Sequence, residues 1–161
     1  MRPQLVVIAP DPAEVVRSAG GWLCDRAMAG WDVGVLTEGD ADSRPLRILG
    51  ARSYDLEAAL ASPVRGPHPQ AIAVSAELFA SDDRIRRLVC AALDDGVTDC
   101  RLWVDRSTTA TDEADQVQHR PSAAARAFKA QALAALPASG DATEVVETFR
   151  RAELLRPSRS A

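Results

Sequence analysis

Four carboxylates stand at the starts of two helical segments. Asp11 and Glu14 lie in Ala9-Pro10-Asp11-Pro12-Ala13-Glu14, and Asp82 and Asp83 lie in Ala80-Ser81-Asp82-Asp83. Carboxylate oxygens are hard ligands, so Asp11, Glu14 and Asp83, if brought together, would suit Mg²⁺, Mn²⁺ or Ca²⁺ better than Zn²⁺. The same letters also describe helix caps. Asp11 takes the N-cap position, Pro12 the first helical position and Glu14 the third, a capping box worth roughly 1 kcal/mol. Ser81 is placed to cap the later helix, with Asp82 and Asp83 at its positive end. A third chemistry, an anion or nucleotide held at the first helix N-terminus, is opposed by the charge on Asp11 and by Pro12, which has no N–H. Capping fits these residues best.

Other chemistries lack their residues. Gly20 and Gly21 come a turn too late for a dinucleotide fingerprint, and no phosphate-binding G-x-x-x-x-G-K-[ST] occurs. Ser18 and Ser75 sit in no G-x-S-x-G elbow. His68 and His119 have no second His or Cys at ligand spacing and are expected to be exposed loop residues. Cys24, Cys90 and Cys100 form no C-x-x-C pair and read as free thiols in a reducing cytosol.

The elements that must position these residues follow from periodicity. The apolar run Leu5–Ala9 predicts a strand, and Pro12–Met28, with Val15, Val16, Ala19, Leu23 and Ala27 on one stripe, a helix that Gly30 stops. Further strands are expected at Asp32–Thr37, Ala71–Ser75 and Arg101–Asp105. Helices are expected at Leu46–Ala61, after Ser81 to Gly96, at Ser122–Leu136 and at Thr143–Leu155. Glu38-Gly39-Asp40 reads as a polar turn, 106–120 as a mobile loop and 157–161 as a frayed tail. Gly20 and Gly21 are read as permitting close helix–sheet packing. Trp22, Trp31 and Trp103 are read as core or interface residues, and the Ala-rich helix as docked within the chain. Strand–helix alternation implies a Rossmann-like α/β fold: a mainly parallel sheet of four to five strands with helices on both faces. One domain, 1–156, is expected from the 161 residues.

A net charge of −4 argues against a nucleic-acid partner. No apolar stretch approaches the ~20 residues of a membrane span, and the N-terminus lacks a signal-like core, so the protein is read as cytoplasmic.

The segment from Ala9 to Gly21, following its apolar strand, resembles the opening A-P-H-P-D-D-E…G-G of the LmbE/PIG-L family of zinc-dependent N-deacetylases. The resemblance continues through Gly30-Trp31-Asp32-Val33, Val35-Leu36-Thr37, Glu38-Gly39 and Pro69–Val74. Arg52 and Asp55 stand where the family has an Arg-x-x-Glu pair on its second helix. Lys129-x-x-Ala132 and Glu147-x-Phe149-Arg150 resemble two C-terminal segments. The chain is short for the family. The missing material falls between the second helix and third strand and around the fourth strand, where such enzymes build substrate pockets.

The resemblance implies a zinc site with an open water position and a carboxylate base. Carried onto this chain, the His ligand becomes Asp11, the base Ala13 and the Asp ligand Glu14. The ligand of the later H-x-D-H motif becomes Asp82 or Asp83. The expectation is a vestigial site, with no catalytic residue and no cofactor, on a degenerate N-deacetylase retained as a scaffold, binding partner or regulator. Another protein or a second copy would be its partner. Two alternatives stand beside it: a divalent-metal hydrolase using Asp11, Glu14 and Asp83, and a small nucleotide- or phosphate-binding module.

Overall fold

A computed structural model describes residues 2–39, 44–62, 68–97, 99–104, 116–137 and 146–151. The element order is β1 (Gln4–Ile8), α1 (Pro12–Met28), β2 (Asp32–Thr37), α2 (Arg44–Ile48), β3 (Arg52–Asp55), α3 (Leu56–Ala61), β4 (Ala71–Ser75), α4 (Ala76–Ser81), α5 (Asp83–Asp94), β5 (Asp99–Trp103), β6 (Gln116–His119), α6 (Ala123–Ala134) and β7 (Glu147–Arg151). The strands form one sheet in the order β3-β2-β1-β4-β5-β7-β6. The first five are parallel. β7 runs antiparallel between β5 and β6.

Strand alternation sorts the core into two layers. Leu5 and Val7 of β1, with Ala71 and Ala73 of β4, face Val15, Val16, Ala19 and Leu23 of α1, together with α2 and α6. Ile8, Ile72 and Val74 face the opposite way, onto Leu56, Leu78, Phe79, Ile85 and Val89 of α3, α4 and α5. Side chains one residue apart on a strand point to opposite faces, so apolar runs in these strands serve both layers. Ala29 caps the C-terminus of α1, and Gly30 follows at φ +95, a left-handed conformation that favours glycine. The Ala-rich α6 packs within the chain against α1 and α2. Trp22 and Trp103 are core residues.

Seven strands replace the four to five expected, and each addition has a physical reason. The helix expected over Leu46–Ala61 is divided. α2 ends at Ile48, Gly50 follows at φ +85, and β3 then pairs with β2 before α3 begins. Arg52 and Asp55 therefore lie on a strand, not on a second helix. The helix expected over Thr143–Leu155 is β7 across Glu147–Arg151, where Glu147 and Phe149 are buried and Thr148 is exposed. A buried glutamate reads as a surface residue, which hides the period of two. β6 is a polar strand at the edge of the sheet, within what reads as a loop. β5 spans Asp99–Trp103 rather than Arg101–Asp105. The remainder of the expected loop (106–115), Asp40 of the polar turn, 143–145, 152–155 and the tail 157–161 lie outside the described residues.

Candidate functional site

β1 lies between β2 and β4, and the chain crosses to the far side of β1 to form β4. The carboxyl ends of β1 and β4 therefore flank the topological switch point, where open α/β sheets place their ligands. The β1–α1 turn is fastened there by backbone. Ala9 N–H donates to the Leu36 carbonyl (3.1 Å), and Glu38 N–H to that of Pro10 (3.3 Å).

Asp11 is extended at φ −150, ψ 161, and its Oδ1 accepts from the Glu14 backbone N–H at 2.9 Å, with Pro12 beginning the helix. Ala13 is packed against the core layer beneath α1. Ser75, at the end of β4, is buried and precedes α4 without forming a side-chain cap.

The later carboxylates sit differently from expectation. Ser81 is the last residue of α4, and the cap of α5 is Asp82, whose Oδ1 accepts from the Arg84 N–H at 2.9 Å. The Arg84 guanidinium also pairs with Asp82 (2.9 Å) and makes a two-pronged bond to Glu57 of α3 (2.9 and 3.0 Å). These bonds hold the Glu57 and Asp82 carboxyls below the usual carboxylate range and push the guanidinium further up. Asp83 is 80% exposed and pairs with Arg86 at 2.9 Å. Among the described residues, no three His, Cys, Asp or Glu side chains stand together as a metal could require. Asp11, Glu14 and Asp83 are thus not gathered into a ligand set.

Two clusters do assemble away from this end. In the first, Lys129 and Glu147 form a buried ion pair at 2.6 Å. Lys129 Nζ also donates to the Arg17 carbonyl (2.9 Å), while Glu147 accepts from the backbone N–H of Gly21 (2.8 Å) and Trp22 (2.6 Å). Arg17 C=O and Gly21 N–H are partners in a regular helical ladder. Here each meets one member of an ion pair inserted against the middle of α1. The glycines make the approach possible. A Cβ on Gly21 would lie 2.4 Å from Pro121 Cγ and 3.2 Å from the Glu147 carboxylate, and one on Gly20 would meet Leu49 and Lys129. The close contact is thus with Pro121, α6 and β7 rather than with the parallel strands.

In the second cluster, Asp25 of α1 accepts from the Ser122 hydroxyl (2.6 Å) and Ser122 N–H (3.0 Å), and meets His119 Nε2 at 2.9 Å. Partial burial works to raise the Asp25 carboxyl. The bonds from Ser122 and His119 outweigh it and leave the group lowered. Ser122 in turn caps α6 through the Ala125 N–H (3.1 Å). Serine and histidine both address the aspartate and not each other, so the trio is a fastening and not a nucleophile–base relay. Neither histidine is a free loop residue: His119 lies in β6, and His68 pairs with Asp95 at 2.6 Å. Chain separations of 94 and 97 residues concealed the Asp25 contacts in the sequence. Burial pushes the nearby Cys24 thiol up, helped by the charges of Asp25 and Glu147.

The crystal structure of the A40926 pseudoaglycone deacetylase Dbv21 matches with a TM-score of 0.58 at 16% identity, over 94% of this chain and 97% of that one. A deacetylase–teicoplanin complex matches with a TM-score of 0.57 at 15% identity, over 92% and 97%. The zinc-inhibited form of teicoplanin deacetylase Orf2 matches with a TM-score of 0.52 at 16% identity, over 80% and 82%. This chain has the α/β fold of those deacetylases. No family profile and no curated protein matches it. Among the described residues, no helix is long and apolar enough to cross a membrane.

Proposed function

We propose that this chain is a non-catalytic relative of the LmbE/PIG-L N-deacetylases, a pseudoenzyme kept as a scaffold, binding partner or regulator. One observation carries the reading. At the position of the general base stands Ala13, a methyl group packed on the core, beside an Asp11 whose carboxylate accepts from the Glu14 N–H. Alanine accepts no proton, so a bound water would have no base at that position. A metal does not fit the residues present. Asp11 serves as a cap, Asp83 turns to Arg86, and no third donor gathers with them among the described residues. We infer another protein or a second copy of the chain as partner.

The test joins metal content to turnover. Protein incubated with Zn²⁺ or Mn²⁺ and then desalted is expected to retain well under one equivalent by mass spectrometry. It is also expected to leave an N-acetylglucosaminyl substrate at the background rate. One retained ion per chain, with metal-dependent deacetylation abolished by Asp11→Asn, would establish the hydrolase instead.

A further inference from the structure

Among the described residues, three large apolar side chains are left strongly exposed: Met28 (49%), Tyr54 (51%) and Phe128 (45%). They come from α1, β3 and α6, yet all three line one cleft of about 580 Å³. The cleft lies at the opposite end of the sheet from Asp11. Its walls include the first residues of β1, β2 and β3 and the last residue of α1. Its volume falls within the range of about 300–1,000 Å³ usual for small-molecule sites. Cys24 lines it too, and because burial raises that thiol it remains uncharged there.

The charges at the cleft have a sign. Among the described residues, Arg2, Asp32 and Arg52 are its ionisable lining, apart from Cys24 and Tyr54. Arg2 and Asp32 stand 3.8 Å apart. Arg52 is exposed and pairs with no carboxylate among the described residues. An acidic chain of net charge −4 thus carries, among the described residues, a local excess of one positive charge beside this apolar cleft. Scattered single apolar residues on a surface need no explanation, but a concave group of them beside an unpaired guanidinium does.

We propose that this cleft binds a single free anionic amphiphile, its apolar body against Met28 and Phe128 and its carboxylate-type head on Arg52. The assignment is independent of the reading of Ala13, because the two sites lie at opposite ends of the strands.

The sequence supplies a reporter. It contains two methionines, Met1 and Met28, so methyl-¹³C labelling gives a resonance inside the cleft. The full chain would be titrated with decanoate, decanol and decyltrimethylammonium below their aggregation thresholds. Decanoate is expected to shift the Met28 methyl signal saturably, about ten-fold tighter than the cationic analogue, the scale of one charge-assisted contact. Arg52→Gln should bring decanoate close to decanol, and Phe128→Ser should weaken all three. Both positions are exposed, so both variants should retain the fold, checked by circular dichroism.

Equal affinity for anion and cation, or an Arg52→Gln variant with unchanged decanoate affinity, would overturn the proposal. So would a Met28 signal that ignores decanoate, or one that responds only to anionic lipid vesicles. A Met28 shift that follows protein concentration without additive, with a doubled sedimentation mass, would assign the surface to self-association and overturn it as well.

Discussion

Gly20 and Gly21 are neighbours in sequence with opposite tolerance for a side chain. A Cβ on Gly20 meets Leu49 at 3.4 Å, an ordinary contact, whereas one on Gly21 meets the Pro121 ring at 2.4 Å, and a proline ring has little freedom to yield. Gly20→Ala is therefore expected to be neutral or to gain up to about 1 kcal/mol from helix propensity. Gly21→Ala should lose about 1–3 kcal/mol through overpacking, both read by urea unfolding. Lys129 and Glu147 set a harsher case. Lys129→Met leaves a carboxylate 2% exposed without its cation and the Arg17 carbonyl without its donor. A loss of about 3–5 kcal/mol is expected, against the near-neutrality typical of surface lysines. At this scale the sequence was readable in an uneven way. The pair of glycines, the Lys-x-x-Ala and the Glu-x-Phe-Arg segments were visible as letters resembling a family. Their meeting around the middle of α1 was not, because Lys129 and Glu147 look like surface residues until tertiary structure buries them.

Elements were legible where one apolar period dominated and illegible where a polar residue did a buried job. β1, α1, β2, β4 and α6 stand where periodicity put them. β7 did not, because Glu147 breaks its alternation, and β6 did not, because an edge strand of Gln, Val, Gln and His turns only one apolar residue, Val117, to the core. The Asp25 fastening holds this region together, tying the end of β6 and the cap of α6 to α1. Its pH dependence follows from the lowered Asp25 carboxyl. A carboxyl depressed in the folded state contributes stability that is fully present above its unfolded value, near 3.9. That contribution is lost as pH falls through the folded value. Thermal unfolding of the wild type between pH 6 and pH 2 should therefore show a decline that is shallower in Asp25→Asn. The two curves should converge at the acid end, with the wild type more stable near pH 6. Curves that stay parallel would show that Asp25 contributes no linked protonation. Ser122→Ala should cost about 1 kcal/mol or more, since it removes the cap of α6 and one of the bonds to Asp25 together.

Across the whole molecule, the fastenings of α1 and the capping carboxylates fall in different places. Gly21, Lys129 and Glu147 hold α1 to α6 and β7. At the carboxyl ends of β1 and β4, where the resemblance would place the chemistry, this chain carries a methyl group and helix caps. Two accounts of the proposed inactivity make different forecasts for one variant, Asp11→His with Ala13→Asp and Glu14→Asp, which places the His, base and Asp of the resembled motif in the first turn. If only those residues are missing, this variant should retain Zn²⁺ after desalting and hydrolyse an N-acetylglucosaminyl substrate. If the arrangement is missing as well, it should do neither, because Asp83 is four-fifths exposed and engaged with Arg86 rather than turned toward the first turn. The structure favours the second outcome. Stability is a separate readout, since histidine replaces a favoured N-cap residue and should cost about 0.5–2 kcal/mol by urea unfolding. Zinc retained at one equivalent with turnover would mean that the carboxyl end of the sheet can hold a working pocket, and that the residues of one turn decide its activity.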